Sequence, residues 1–376
     1  MPLRQLRSLA AAVAAAVVSA LPGTLAHAQG QPEILIGALL PLTGPAAPVG
    51  LEQQQGVQFA VDRANAAGGI RGRKVKAIFE DSQAKPDVAL LSFNRLADLE
   101  NVPVIITAFS SVTLAIAPLA TRKKVVLINP AAQSNKLENA SPYLFNTIPL
   151  VKDETSAITN YLVNSLHKKT AAIVYENVAA GIDGRDDFKK AFEKLGGKVV
   201  AEEPVEFGLT NYRPTLLKVA AAKPDVAFIV ITQGHPTFVE QAAQVPGFPV
   251  GAGTTFVNPL CCYAGSAGWY QSAIKSGIPP ELEKEFNTRF GTKSMGFFAR
   301  EYFNSTNVAL KAIDHLLGKG QALNGENLRA AIFEVKKFGS DIANITFDKT
   351  NTAARGVDIQ QYTADSRKIL ATEEAK

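Results

Sequence analysis

Two adjacent serines, Ser110 and Ser111, stand between an apolar run and a helix-like segment. The run "VPVIIT" precedes them, and "SVTLAIAPLATRK", which begins at Ser111, has the spacing of an amphipathic helix. A hydroxyl at such a junction can cap the helix, it can bind an anion together with the free N–H groups of the helix start, or it can act as a nucleophile. The residues alone leave all three roles open.

Motifs for covalent catalysis or cofactor binding are incomplete. In "AGSAG", alanine stands where the nucleophile elbow around Ser266 needs its first glycine, and no strong strand precedes it. "GAG" at residues 251–253 lacks the third glycine of a dinucleotide-binding fingerprint, and no phosphate-binding loop with lysine appears. We therefore expect no enzymatic activity and no cofactor.

Metal binding is not indicated either. His167, His235 and His315 show no ligand spacing. Cys261 and Cys262 are adjacent, and the ring that a bridge between neighbours closes is strained. We interpret the two cysteines as small apolar side chains, with a vicinal disulfide left open, and we expect no metal.

The start of the chain predicts export. Arg4 and Arg7 precede the apolar run "LAAAVAAAVVSAL", and Ala26 and Ala28 provide the small residues of a cleavage site. No later run approaches the roughly 20 apolar residues of a spanning helix. We expect a signal peptide over residues 1–28, cut after Ala28, and a soluble protein in the periplasm.

The charge balance indicates no particular partner. The formal charge of +5 falls to +3 without the two arginines of the signal, and lysines are scattered without a basic stripe or interleaved aromatics. Nucleic-acid binding is therefore not expected.

Short β-rich runs alternate with amphipathic segments from Glu33 onward. The predicted strands are "ILIGALL", "KVKAIFED", "VPVIIT", "VVLINP", "TAAIVYE", "KVVAEEPV" and "PDVAFIVIT"; the first predicted helix is "GVQFAVDRANAAGG". Apolar strands separated by helices are typical of parallel sheets covered on both faces. The pattern restarts after Asn146, so two α/β domains are predicted. After Pro280 it becomes helical, and a polar, turn-rich tail is expected beyond Ser340.

Six stretches carry a family resemblance: "ILIGALLPLTGPAAPVG", "GVQFAVDRANAAGGIRGRKV", "EDSQAKPDVA", "TAFSSVTLAIAPLA", "VVLINPAA" and "YRPTLLKVAAAKPDVAFIV". In these the sequence resembles the type I periplasmic solute-binding proteins of ABC importers, in particular the branched-chain amino-acid-binding family. The resemblance implies an α/β fold of two Rossmann-like lobes, joined by three crossovers and closing on a small molecule. It places lobe I at 29–147 and 277–345, and lobe II at 148–276 and 346–376.

The resemblance also implies a carboxylate site. The serine matching Ser110 holds the ligand carboxylate in that family with its hydroxyl and amide, and Ser111 follows at the same helix start. Ala131, Ala132 and Gln133 follow the next strand, where a backbone carbonyl and a hydroxyl are expected to reach the ligand. Gln133 stands where the amino-acid binders tend to carry threonine. Open parallel sheets bind ligands at these strand ends in any case.

The second lobe departs from the amino-acid binders. Their acidic partner for the ligand ammonium should fall within "PVGAGTTF", which has no acid and places Thr254 there. Their tyrosine is replaced near Ala180, and their second aromatic residue by Gly234. Burying an ammonium without a partner costs several kcal/mol, so these changes argue against an α-amino acid.

Apolar residues are available to line the cleft. Phe109, Phe256 and Tyr175 can form aromatic walls or belong to the core. Pro48 and Val49 are expected to contribute from the loop after the first strand.

His235 has two open roles. It can donate to the ligand, or it can cap the helix that Pro236 begins. The first role would make affinity depend on pH, because the ordinary pKa of histidine lies near the working pH.

The resulting functional expectation is a monomeric periplasmic receptor. It would capture an aromatic or 2-oxo monocarboxylate by lobe closure and deliver it to an ABC permease in the inner membrane. Branched-chain or other hydrophobic amino acids are the alternative ligands, and chemosensory signalling is the alternative use.

Overall fold

The computed structural model describes residues 32–254 and 265–374. The predicted signal peptide, Phe256 and the cysteine pair Cys261 and Cys262 lie outside these ranges. Within them, no helix combines the length and the apolar character that crossing a membrane requires.

The first sheet has five parallel strands in the order β2-β1-β3-β4-β5. The strands are β1 (Ile34–Leu40), β2 (Val75–Asp81), β3 (Val104–Ile106), β4 (Val126–Asn129) and β5 (Leu144–Asn146). The helices between them are α1 (Ala47–Ala66), α2 (Pro86–Asn94, continued by a π-helical turn at Arg95–Leu99) and α3 (Ser110–Lys123). Ile106 pairs with Ile128, so the segments after β3 and β4 leave the same edge of the sheet.

The second sheet has seven strands in the order β14-β13-β10-β9-β8-β6-β7. Its elements are α4 (Val151–Asn160, continued by a π-helical turn at Tyr161–Ser165), β6 (Thr170–Glu176), α5 (Ala179–Lys194), β7 (Lys198–Val205), α6 (Arg213–Ala221), β8 (Val226–Val230), α7 (His235–Ala243), β9 (Gly251–Gly253), β10 (Tyr270–Ile274), β13 (Val357–Tyr362) and β14 (Arg367–Glu373). Strands β6 to β10 are parallel, and β13 pairs antiparallel with both of its neighbours.

The late helices pack against the first sheet. They are α8 (Pro280–Phe290), α9 (Phe297–Gly318) and α10 (Gly325–Val335), followed by the small hairpin of β11 (Lys337–Phe338) and β12 (Ile345–Thr346). Phe59 of α1 meets Phe286 edge to face with the ring centroids 5.3 Å apart. At the crossing of α1 and α9, a Cβ on Gly56 would lie 2.3 Å from the carbonyl of Ala299, so only glycine fits there.

Two lobes follow from these contacts. We call β1–β5 with α1–α3 and α8–α10 the first lobe, and β6–β10, β13 and β14 with α4–α7 the second lobe. The chain passes between the two sheets after β5, after β10 and before β13. The residue-level lobe boundaries stay a prediction.

A buried ion pair ties two of these connections together. The guanidinium of Arg355 donates to both carboxylate oxygens of Glu301 on α9, at 2.6 and 3.1 Å. It also donates to the carbonyl of Lys275 at 3.0 Å, directly after β10. The segment before β13 is thereby fixed to the first lobe and to the preceding connection.

Three expectations about the elements were wrong. Helix α1 begins at Ala47 rather than near Gly56, so Pro48 and Val49 lie in its first turn and not in a loop. Three polar glutamines, Gln53 to Gln55, obscure the apolar spacing there. Strands β5 and β9, of three residues each, were not predicted from the sequence, and neither was β10. The tail beyond Ser340 holds β13 and β14, which pair with each other, and β13 also pairs with β10.

Candidate functional site

A cavity of about 260 Å³ lies at the carboxyl ends of the strands and is lined by both lobes. We call it the inner cavity. Six of the residues predicted from the sequence line it: Phe109, Ser110, Ser111, Ala131, Ala132 and Ala180. The structure adds seven residues that the sequence analysis missed: Gln53, Ala84, Pro86, Val178, Phe207, Thr232 and Phe298.

The start of α3 supplies the polar end of the inner cavity. Ser110 and Ser111 are its first two residues, Phe109 is the N-cap, and no side chain caps the helix, so the capping interpretation is wrong. Ser110 Oγ accepts a hydrogen bond from the N–H of Ser134 at 3.1 Å. Within the described ranges, the N–H groups of Ser110, Ser111 and Val112 bind no acceptor. They lie at the positive end of the helix dipole, which favours an anion.

The backbone of Phe109 adopts an unusual conformation. Its φ of 61° and ψ of 134° are rare for a residue with a side chain, and such strain costs on the order of 1–3 kcal/mol. The ring contacts Phe207 of the second lobe. This backbone conformation lets the chain pass from β3 to α3 within a few residues, and it places an aromatic ring beside Ser110.

The loop after β4 is shaped by Asn129. Its Oδ1 accepts from the N–H of Ala132 at 2.8 Å, and its Nδ2 donates to the carbonyl of Ala132 at 2.7 Å. Ala131 and Ala132 then line the inner cavity with methyl groups. Gln133 lies outside it: the buried Nε2 donates to the carbonyl of Pro149 at 3.1 Å and to the carboxylate of Glu154.

The second lobe presents Thr232 at the end of β8. Its N–H donates to Glu176 Oε2 at 3.1 Å, and its hydroxyl donates to the same oxygen. Desolvation by burial raises the pKa of Glu176 to about 7, although hydrogen bonds from Thr232 and the N–H of Gly208 act in the opposite sense. The sequence analysis sought a second-lobe acid only within "PVGAGTTF" and overlooked this one.

Thr254 was predicted to contact the ligand. It is fully buried and lines neither the inner cavity nor the second cavity described below.

A second cavity, of about 800 Å³, adjoins the inner one. We call it the outer cavity. Thr232 and Phe298 line both cavities. Pro48, Val49 and His235, which were predicted to contact the ligand, line the outer cavity instead of the inner one.

His235 does not have the properties expected of it. Its Nε2 lies 2.9 Å from the carbonyl of Ile231, and α7 begins at His235 itself, with Gly234 as the N-cap at φ 76°. The capping role is therefore wrong. Burial lowers the pKa of His235 to about 3, so the imidazole is neutral at neutral pH, and the expected pH dependence does not arise from this residue.

The aromatic walls differ from those expected. Tyr175 lies under the guanidinium of Arg185, 4.8 Å from the ring centroid, and lines neither cavity. Phe207 and Phe298 take its place. Phe207 comes two residues after β7, so the rule that ligands meet strand ends signalled it. Phe298 and Gln53 lie on helices and reach the cavity only through helix packing, which no local pattern predicts.

Polar contacts also join the lobes beside the inner cavity. Asp183 Oδ2, on α5, accepts from the N–H of Asn135 at 2.9 Å and from the hydroxyl of Ser134. Asn135 Nδ2 donates to Asp187 at 2.6 Å. Together with the contact between Phe109 and Phe207, these bonds join the two lobes across the cleft.

Family comparison agrees with this architecture. The model of the periplasmic binding protein family matches residues 33–367. The chain belongs to this family.

Curated members of the family give the context. The chain is 26% identical to an amino acid binding protein of Pseudomonas aeruginosa over 57% of this chain, and 27% identical to Leu/Ile/Val-binding protein homolog 3 of Brucella melitensis over 52%. It spans 58% and 54% of the length of these two relatives. A leucine-, isoleucine-, valine-, threonine- and alanine-binding protein of P. aeruginosa is 23% identical over 88% of this chain and 90% of the relative.

Solved structures confirm the predicted fold of two Rossmann-like lobes. A solute-binding protein of Rhodopseudomonas palustris in complex with 3,4-dihydroxybenzoic acid has a TM-score of 0.82 at 23% identity, covering 91% of this chain and 98% of that one. A branched-chain amino-acid-binding protein of Streptococcus pneumoniae in complex with isoleucine has a TM-score of 0.79 at 21% identity, covering 92% and 99%. Members of this fold thus hold both aromatic acids and amino acids.

Proposed function

We propose that this chain is the solute-binding subunit of an ABC importer, working in the periplasm, and that its inner cavity binds a monocyclic aromatic carboxylate. The observation that carries the proposal is the lining of that cavity. None of the described residues that line it carries a charge, while the start of a fourteen-residue helix opens onto it. Such a site suits an anion without an ammonium group.

The carboxylate is assigned to the start of α3. Because Ser110 Oγ already accepts from Ser134, its hydroxyl proton remains available to donate to a ligand oxygen. The backbone N–H groups of Ser110 and Ser111 add two further donors. Charge-assisted hydrogen bonds of this kind are about twice as strong as neutral ones.

The apolar body of the ligand is assigned to the walls of the inner cavity. Phe109 and Phe298 come from the first lobe and Phe207 from the second. Aromatic rings favour edge-to-face or offset contacts, which a planar ring between them can make. Contacts from both lobes favour the closed state, which a permease can recognise. Structural relatives that hold benzoate or 3,4-dihydroxybenzoic acid support this choice.

A branched-chain amino acid is the second candidate. Relatives that bind leucine, isoleucine and valine favour it, and so does Glu176, a buried carboxyl next to a cavity-lining residue. Against it, Glu176 already accepts hydrogen bonds from Thr232 and does not itself line the cavity. An ammonium would have to displace those bonds.

Calorimetric titration of protein freed from co-purified ligand by unfolding and refolding tests the proposal. The ligands are benzoate, 4-hydroxybenzoate, a branched 2-oxo acid and leucine. We expect benzoates to bind and leucine not to bind. Ser110→Ala should weaken benzoate binding about ten-fold to a hundred-fold, since a hydrogen bond to a charged group is lost.

Ser165→Ala is the matched control, because Ser165 is exposed at the end of the π-helical turn after α4. Its affinity should equal that of the unmodified protein. Leucine binding without benzoate binding would overturn the proposed ligand and favour the amino-acid alternative. An equal affinity in the Ser110→Ala variant would overturn the placement of the carboxylate.

A further inference from the structure

We propose that the ligand carries a second acidic group, which Arg300 binds in the outer cavity. This inference rests on the proposed function and narrows it from aromatic monocarboxylates to aromatic acids with a second anionic group at the far end. Arg300 lies one turn into α9 and lines the outer cavity.

The guanidinium of Arg300 lacks a hydrogen-bond or ion-pair partner among the described residues. Over residues 32–254 and 265–374, no carboxylate forms an ion pair with it and no acceptor receives a hydrogen bond from it. Its Nε is fully buried without a partner. A buried charge without a partner is costly and is rarely retained unless something compensates it.

The carboxylates of the same cavity already have partners. Glu52 accepts from the N–H of Ala299 at 3.2 Å and so caps the start of α9. Gly296 makes room for it, because a Cβ there would lie 2.1 Å from Glu52 Oε1. Glu283 accepts from the N–H of Met295 at 3.2 Å.

No ionisable group among the described residues of the outer cavity forms an ion pair with Arg300. His235 is neutral, and Arg367 of β14 brings a second positive charge, with a partner of its own. Burial lowers the pKa of Arg300, whereas the negative charges of Glu301, Glu52 and Glu283 act in the opposite sense. Among the described residues of the outer cavity, Arg300 therefore keeps a buried donor, its Nε, without an acceptor.

One ligand can reach both sites because the cavities share two walls. Phe298 and Thr232 line each of them, so a ring packed against Phe298 lies where the two cavities meet. With the first carboxylate at Ser110, a second acidic group on the opposite end of the ring points toward Arg300. A guanidinium suits a carboxylate well, since its donors match the two oxygens.

Calorimetric titration with matched ligand pairs tests this. The diacids are terephthalate, 4-carboxyphenylacetate and 3-(4-carboxyphenyl)propanoate, each compared with the ester that masks its distal acid, and benzoate is the common reference. We expect at least one diacid to bind about ten-fold to a hundred-fold more tightly than its ester, the range for a charged hydrogen-bonded pair. Arg300→Gln should abolish this gain while changing benzoate affinity less than about two-fold, and Arg300→Lys should restore part of it.

Arg289→Gln is the control, because Arg289 is exposed on α8 and pairs with Asp62. It should leave the gain intact. If benzoate binds but no diacid exceeds its ester, or if the gain persists in Arg300→Gln, the inference is wrong and the proposed function stands. If neither benzoate nor any diacid binds, both are wrong. Thermal unfolding of each variant without ligand identifies any loss of folding.

Discussion

The rings of Phe109 and Phe207 meet edge to face across the cleft, with centroids 5.7 Å apart and an interplanar angle of 83°. Phe109 belongs to the first lobe and Phe207 to the second. Both rings also line the inner cavity. The contact therefore joins the two lobes at the wall of the inner cavity.

Truncation of Phe207 should weaken ligand binding. Phe207→Ala removes a cavity wall and the edge-to-face pair, and such pairs contribute about 0.5–1.5 kcal/mol beyond the buried area. We expect benzoate affinity to fall about ten-fold in a calorimetric titration. Leu217→Ala is the control, since Leu217 is 48% exposed on α6 of the same lobe. An unchanged affinity in Phe207→Ala would show that the second lobe adds no wall to the bound ligand.

Loss of the polar contact at Asp183 should favour the open state. Asp183→Asn replaces a carboxylate that accepts two hydrogen bonds from Ser134 and Asn135 across the cleft. We expect about a five-fold loss of affinity, because one cross-lobe bond to a charged group weakens by roughly 1 kcal/mol. Small-angle X-ray scattering with ligand should show a larger radius of gyration.

The matched control for this variant is Asp186→Asn. Asp186 lies on the same helix, its side chain is 58% exposed, and it pairs with Arg185 of the same helix rather than with the first lobe. If the two variants bind alike, the cross-lobe bond contributes nothing to closure.

Glu176 should make stability fall as pH rises. Burial raises the pKa of Glu176 to about 7, whereas its pKa in the unfolded chain is near 4.5. Between these two pH values the native state therefore binds more protons than the unfolded state. The free energy of unfolding should therefore drop with pH, by about 3 kcal/mol for a shift of this size. Below pH 4.5 the group is protonated in both states and adds no dependence.

Urea unfolding at several pH values, with Glu176→Gln beside the unmodified protein, isolates this contribution. His235 acts in the opposite direction, because its lowered pKa costs stability as pH falls below 6.5. Both proteins contain His235, so its contribution cancels when their free energies of unfolding are subtracted. We expect Glu176→Gln to gain relative stability between pH 5 and pH 8; parallel curves would show that Glu176 is ionised throughout.

The buried pair of Arg355 and Glu301 should be essential for folding stability. Arg355→Met leaves the Glu301 carboxylate buried without its partner, and such losses cost about 3–5 kcal/mol. Chemical unfolding measures the change. Replacing both residues, as Glu301→Gln with Arg355→Met, should recover part of the loss. Lys218→Met, which breaks an exposed pair with Glu203, should leave stability nearly unchanged.

Local sequence patterns were enough to predict the class of fold and to place Ser110 and Ala131 at neighbouring strand ends, where both line the inner cavity. Strands such as Ile34–Leu40, Thr170–Glu176 and Lys198–Val205 were predicted with the bounds that the structure has, because continuous apolar runs between helices are a local signal. Ser110 and Ala131 could be placed together for a similar reason: strand ends in a parallel sheet meet at one edge.

Tertiary structure decided everything that depends on contacts between distant segments. Phe298 and Arg300 reach the cleft only because α9 packs on α1, and Gln133 turns away because Pro149 and Glu154 bind its amide. The neutral state of His235 and the raised pKa of Glu176 follow from burial, which a local pattern does not contain. Periodicity records which face of an element is apolar, whereas the shape and charge of a cleft depend on which faces finally meet.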